Sequence, residues 1–303
     1  MEASLRQAWE EYVRPLTVDE ALAELGARDG RARVVAGATD LVIDIAKERK
    51  ATACVVDVRQ IAELHGIAET PGGGLSIGAA TTHADLAASA LVRRDYAALA
   101  AAAAAVGSLQ IRNQGTVGGN VVNAQPAADT AVALAALDAT AEIAGPEPGR
   151  RRIVSLPELY TGDVGRSAVD STREILTRFF IAEGSGGSGS SFQRLTRRKA
   201  LALPMLNCAI VLQVESDRIA WCRIAMGPVA TVPFRCAAAE RIVTGLRVDD
   251  EAGIQAAADA VTAEACPRDS CLRGSAEYRC IVAGTLAHRG LREAIARSAD
   301  RGD

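Results

Sequence analysis

The chain is predicted to be an α+β protein whose last third is an antiparallel sheet followed by helices. Three observations carry this expectation. The first 60 residues place apolar, β-branched runs around helical stretches in β–α–β order. Residues beyond 191 read as a β-meander and then three helices. Between the two regions, the eight residues 184–191 are four glycines and four serines, the composition of a flexible loop or linker.

Taken in order, residues 20–26 have helical spacing, with Ala21, Leu22 and Leu25 on one face and Gly26 as the stop. Residues 33–35 form a short strand, 41–45 an apolar run, and 54–58 a compact strand rich in valine. A strand at 75–79 leads to Thr82, which suits the N-cap of a helix over 83–90. Residues 97–106 hold eight alanines and form a helix that Gly107 ends. The apolar stretch 131–141 passes from helix to strand near Asp138. In the last third, 192–195, 205–214 and 218–226 are strands, the latter two a hairpin turning at Glu215-Ser216-Asp217. Residues 236–243, 251–264 and 277–289 are the three helices.

Composition narrows the function. A length of 303 residues suffices for two or three domains, and 49% hydrophobic with 23% charged residues is ordinary for a globular protein. The net charge of −3 gives no reason to expect nucleic acid or an anionic membrane as partner. Residues 1–7 lack an apolar signal core, and the run 97–106 is too short to span a bilayer. The chain reads as cytoplasmic. Its seven cysteines include no Cys-x-x-Cys pair, and Cys266, Cys271 and Cys280 match no metal-ligand spacing. Free thiols in a reducing compartment, with no metal site, are expected.

Two glycine segments carry most of the functional signal. They are Val34-Val35-Ala36-Gly37-Ala38-Thr39-Asp40-Leu41 and Gln114-Gly115-Thr116-Val117-Gly118-Gly119-Asn120-Val121-Val122-Asn123. Neither contains lysine or arginine, so an anion held there is expected to meet backbone N–H groups, which glycine brings close. Two such loops suit a dinucleotide with a diphosphate bridge. Neither has the Gly-x-Gly-x-x-Gly or Gly-Lys-Ser/Thr spacing, which disfavours an ordinary NAD fold or a P-loop. None of His65, His83 and His288 sits beside a candidate nucleophile or carboxylate pair, so no catalytic residue is assigned.

The wider order of motifs resembles the flavin-binding subunit of the molybdenum hydroxylases, the xanthine dehydrogenase, aldehyde oxidase, carbon monoxide dehydrogenase and nicotinate dehydrogenase relatives. The run Ile111-Arg112-Asn113-Gln114-Gly115-Thr116-Val117-Gly118-Gly119-Asn120 carries it, continuing through Asn123-Ala124-Gln125-Pro126-Ala127-Ala128-Asp129 to Leu137-Asp138-Ala139. So do the first loop, with Ala38 where a second glycine is usual, and Ser76-Ile77-Gly78-Ala79-Ala80-Thr81-Thr82, Leu195-Thr196-Arg197-Arg198, Gly227-Pro228-Val229-Ala230 and Gly274-Ser275-Ala276-Glu277-Tyr278-Arg279.

The resemblance implies a p-cresol methylhydroxylase-type FAD-binding fold over 1–182, in subdomains of about 1–60 and 61–182, then the loop or linker 183–191. The C-terminal domain typical of these flavoprotein subunits follows over 192–303. Position by position, residues 34–41 and Gly115, Thr116, Gly118, Gly119, Asn120 and Val122 would embrace the FAD pyrophosphate and neighbouring groups. Asp129 would hydrogen-bond the cofactor or cap the helix that follows. Val106 would pack near the isoalloxazine, and Thr82 is either at the flavin edge or a simple N-cap. Arg197-Arg198-Lys199 reads as a solvated face, a docking patch or a flavin contact. By resemblance, electrons would reach FAD from a [2Fe–2S] small subunit and a molybdopterin-binding large subunit, in a dimer of heterotrimers, and leave to an acceptor such as NAD or quinone. The alternatives are a self-sufficient flavin dehydrogenase or oxidase of the same fold, and a nucleotide-binding or assembly protein.

Overall fold

A computed structural model describes residues 9–198 and 201–299; residues 1–7 and Lys199 of the expectations above lie outside the described residues. The first layer is a parallel sheet. Strand β1 (Glu11–Val13) is followed by helix α1 (Val18–Gly26), β2 (Ala32–Val35), α2 (Leu41–Ala46) and β3 (Cys54–Asp57), with strand order β1-β3-β2. Helix α1 starts in a capping box, Thr17 and Glu20 each bonding the other's backbone N–H, and buries Val18, Ala21, Leu22 and Leu25. The β–α–β order is as expected, and the apolar run at 41–45 is a short helix.

The middle layer is an antiparallel sheet wrapped around small helices. It runs through β4 (Ile67–Glu69), β5 (Leu75–Gly78), α3 (His83–Ala88), α4 (Ala90–Asp95), α5 (Ala97–Ala105), α6 (Leu109–Gln114), α7 (Val117–Val122) and α8 (Asp129–Ala136). Strands β6 (Thr140–Ala144), β7 (Arg151–Ser155) and β8 (Ile175–Ile181) complete a sheet of order β4-β5-β8-β6-β7. Helix α5 ends before Gly107, which takes φ +50°, and the change from α8 to β6 turns at Asp138, also at φ +50°. All eight residues of α8 are buried. The sequence offered no reading of β7 or β8.

The last layer is the expected meander and helices. Strands β9 (Gly189–Leu195), β10 (Leu206–Glu215), β11 (Arg218–Gly227) and β12 (Phe234–Arg235) lie in order β12-β11-β10-β9, with Ser216 at φ +57° in the hairpin turn. Helices α9 (Ala237–Val243), α10 (Glu251–Glu264) and α11 (Ala276–Ala299) cover one face. The serine–glycine stretch differs from expectation, because Gly189, Ser190 and Ser191 open strand β9 and are buried. Their small size lets α11 lie close: Ser191 Oγ donates to Gly290's carbonyl at 2.7 Å, and a Cβ on Gly189 would strike Ala294's backbone. Strand β10 is buried on both faces. Cys208, Ile210 and Leu212 join the core under the C-terminal helices, while Ala209 and Val211 join the core of the middle layer.

Candidate functional site

The first glycine loop leaves β2 and enters α2. Ala38 holds φ +62°, the left-handed region, which explains why glycine suits that place better. No acceptor is found among the described residues for the N–H groups of Gly37, Ala38, Thr39 and Asp40. Four successive donors without partners, turned by one left-handed residue, make an anion-binding concavity. The N-cap of α2, Asp40, makes no side-chain capping bond, so its loop end is open as well.

The second loop works differently from expectation. Most of its N–H groups are consumed within the chain: Gly115 donates to Ile111's carbonyl at 2.7 Å, Val117 to Thr81's at 3.0 Å, Gly118 to Ala79's at 2.8 Å and Asn120 to Thr116's at 3.0 Å. Gly119 N–H is taken by Thr116 Oγ1 at 3.1 Å. Here glycine serves close approach instead. A Cβ on Gly118 would sit 2.7 Å from Ala79 Cβ. One on Gly37 would collide with Gln114's carbonyl and lie 2.8 Å from Gly115 Cα, so the two loops press directly on each other. At Gly119 a Cβ would meet only Thr116 Oγ1, at 2.9 Å, and otherwise open space. The open side is the cavity.

Sixteen of the 17 expected site residues line one cavity of about 650 Å³: all of 34–41, with Val106, Gly115, Thr116, Gly118, Gly119, Asn120, Val122 and Asp129. That volume is within the roughly 300–1,000 Å³ usual for small-molecule and cofactor sites. Thr82 is not on the wall. Its hydroxyl accepts from Asp85 N–H at 3.1 Å and donates to Asp85 Oδ2 at 2.6 Å, the capping geometry at the start of α3. Asp129 is the first residue of α8 and 4% exposed. Its Oδ1 accepts from Arg194 Nε at 3.1 Å and Asn207 Nδ2 at 2.7 Å, leaving Oδ2 without a partner among the described residues. Burial raises this carboxyl's pKa, outweighing the lowering by Arg194 and Asn207.

Three wall residues had no local signal in the sequence. Arg33 lies on β2 with Nη1 on Ser171 Oγ at 2.8 Å and a buried, unpartnered Nε. His83 is 2% exposed at the start of α3, its Nδ1 buried and unpartnered, and burial with the nearby Arg112 charge pushes its pKa down to about 4. Arg273 reaches the wall from the loop before α11. The other histidines lie elsewhere, His65 on Arg59's carbonyl at 2.9 Å and His288 against Glu251 at 3.0 Å. An unpartnered run of N–H groups, two guanidiniums each with a buried unpartnered nitrogen and a cavity lined by residues of all three layers fit a dinucleotide diphosphate.

Comparison with known proteins agrees with this geometry. Residues 6–182 match the model of the FAD binding domain in molybdopterin dehydrogenase, and residues 190–294 match the CO dehydrogenase flavoprotein C-terminal domain. The chain is 30% identical over 285 residues to a xanthine dehydrogenase FAD-binding subunit described as putative in Escherichia coli K12, covering 94% of this chain and 96% of that one. It is 31% identical over 289 residues to the carbon monoxide dehydrogenase medium chain of Hydrogenophaga pseudoflava, covering 95% and 98%. Among solved structures, carbon monoxide dehydrogenase from that organism superposes with a TM-score of 0.87 at 30% identity, over 95% of this chain and 98% of that one. Quinoline 2-oxidoreductase from Pseudomonas putida 86 gives 0.85 at 27% identity, over 96% and 98%. A sequence with these loops, this cavity and these two matched regions belongs to the family of FAD-binding subunits of the molybdenum hydroxylases.

Proposed function

We propose that the chain holds one non-covalent FAD in the cavity and relays electrons from the Fe–S clusters of a partner to a final acceptor such as NAD or a quinone. The observation that carries the reading is the meeting of both glycine loops on one cavity, with the free N–H groups of residues 37–40 on its wall. FAD supplies the redox chemistry, since it can take up and release electrons singly or in pairs. The chain's residues bind and orient it. The first loop receives the diphosphate on backbone donors, and Gly119 keeps the approach open. Asp129, held in place by Arg194 and Asn207, would offer its free oxygen to the cofactor as a hydrogen-bond acceptor. Val106, on the same wall, would pack near the isoalloxazine.

Relatives named as a medium chain and an FAD-binding subunit support partner subunits; we propose that these are a [2Fe–2S] small subunit and a molybdopterin-binding large subunit, in a dimer of heterotrimers. Among the described residues no helix is long and apolar enough to cross a membrane, and a cytoplasmic complex is proposed. Purified chain is expected to be yellow and to release its flavin on acid precipitation; flavin left on the polypeptide would contradict non-covalent binding. Co-expression with the partner subunits should give a stable complex with substrate-dependent acceptor reduction. Substrate-specific flavin reduction by the isolated chain at ordinary turnover, on the order of 10 per second, would instead favour a self-sufficient flavoenzyme.

A further inference from the structure

We infer that Arg273 is the C-terminal layer's contribution to the cofactor site, setting a fixed positive charge at the end of the cavity that would take the flavin ring. The inference rests on the assignment of the cavity to FAD. Arg273 lines that cavity, and its Nε is buried with no partner. Its other guanidinium nitrogens make no hydrogen bond or ion pair among the described residues, although the side chain is about half-buried. Arginine stays charged in proteins, and a partly desolvated charge without a counter-ion is a cost that folding alone does not explain. Burial lowers its pKa, and burial together with the nearby Arg273 charge lowers that of Arg279. A negatively charged ligand group relieves both.

The cavity's walls indicate which part of the dinucleotide that is. Toward α2 the lining is polar and charged, with Arg33, Asp44, Arg49 and Lys50. Away from it the lining is apolar, with Val106, Ile111, Leu201 and Leu203, and Leu203 is 71% exposed. The segment carrying Arg273 belongs to the apolar end. Arg197 Nη2 donates to Cys271's carbonyl at 3.0 Å, and Gly274 packs near Met205, while Leu201 N–H reaches Gly107's carbonyl at 3.4 Å. The isoalloxazine is the large flat apolar part of FAD, so it belongs against these leucines. Bound FAD would gain negative charge on its ring when reduced. The Arg273 guanidinium beside that ring would stabilise the reduced form over the oxidised one and raise its potential.

The test uses full-length chain carrying FAD, with Arg273→Gln and Arg273→Met, the latter keeping an apolar stem. Midpoint potentials are read by dithionite titration against reference dyes, and FAD affinity and sulfite adduct formation are measured alongside. Both variants are expected to retain FAD. Relative to wild type, the preference for the reduced form should fall about tenfold, which is about 30 mV for a two-electron couple, and sulfite affinity should fall about tenfold. An unchanged potential with FAD bound in either variant would overturn the inference. So would a tenfold loss of FAD affinity without a potential change, which would place Arg273 on a phosphate. Wild-type chain that binds no FAD would instead refute the reading beneath it, so the two failures are told apart.

Discussion

Gly37 and Gly119 have the same side chain and opposite reasons for it. Gly37 is pressed against Gln114 and Gly115, whereas Gly119 faces open cavity. Gly119→Val is therefore expected to abolish FAD retention while changing the urea midpoint little, by under about 1 kcal/mol in stability. Gly37→Val should lose the flavin and several kcal/mol, about 2 or more, because the loops can no longer touch. Full flavin occupancy in the folded Gly119 variant would mean the site is misplaced. His83 gives a pH signature. Its folded-state pKa is about 4 against an ordinary 6.5, so the unfolded chain takes the proton first as pH falls. Stability should be complete above about pH 6.5 and drop by about 3 kcal/mol as pH falls to 4. His83→Gln should flatten that part of a stability–pH curve. At this scale the loops were legible because their glycines and hydroxyls are contiguous. Arg33, His83 and Arg273 were not, since each matters only through a wall assembled from distant segments.

The elements tell a similar story about locality. The parallel β1–β3 unit, the alanine helix α5, the turn at Asp138 and the β10–β11 hairpin follow from local pattern and turn chemistry. Strands β7 and β8 escaped because β7 is an edge strand with exposed arginines and β8 sets Thr177 and Arg178 between apolar residues, so neither shows clean alternation. The stretch 184–191 misled only at 189–191, where strand β9 opens, because glycine and serine signal flexibility in isolation. Against a helix backbone the same residues permit contact. Gly189→Val should cost about 2 kcal/mol or more by denaturant titration, since its side chain would occupy the place of Ala294's carbonyl. A loss under about 0.5 kcal/mol would show that the stretch tolerates bulk as a linker does.

For the molecule as a whole, the double-faced burial of β10 argues against independent parts. Ala209, Val211 and Ala225 share a core with Leu99, Val132 and Leu134 of the middle layer, and Arg223 and Arg235 pair with Asp138 across the same junction, the first at 2.7 Å. The full chain is expected to unfold in a single calorimetric transition, and a chain cut after residue 182 to lack one altogether, with α5 and α8 uncovered. Two resolved transitions in the intact chain would count against this. The sequence separated the halves by composition and could not show the seam, because Ala209 and Val211 look the same whether they face solvent-shielding helices or another core.

That seam bears on how such subunits can be exchanged. Two family models divide the chain between residues 182 and 190, which invites treating the halves as cassettes. Yet the sheet inserted between α8 and the C-terminal helices has no face of its own to keep dry. A chimera that grafted a relative's C-terminal half onto this N-terminal half would have to match methyl for methyl at Ala209, Val211 and Ala225. Exchange of sequence is therefore expected to be tolerated in the loops around the cavity mouth more readily than across this seam.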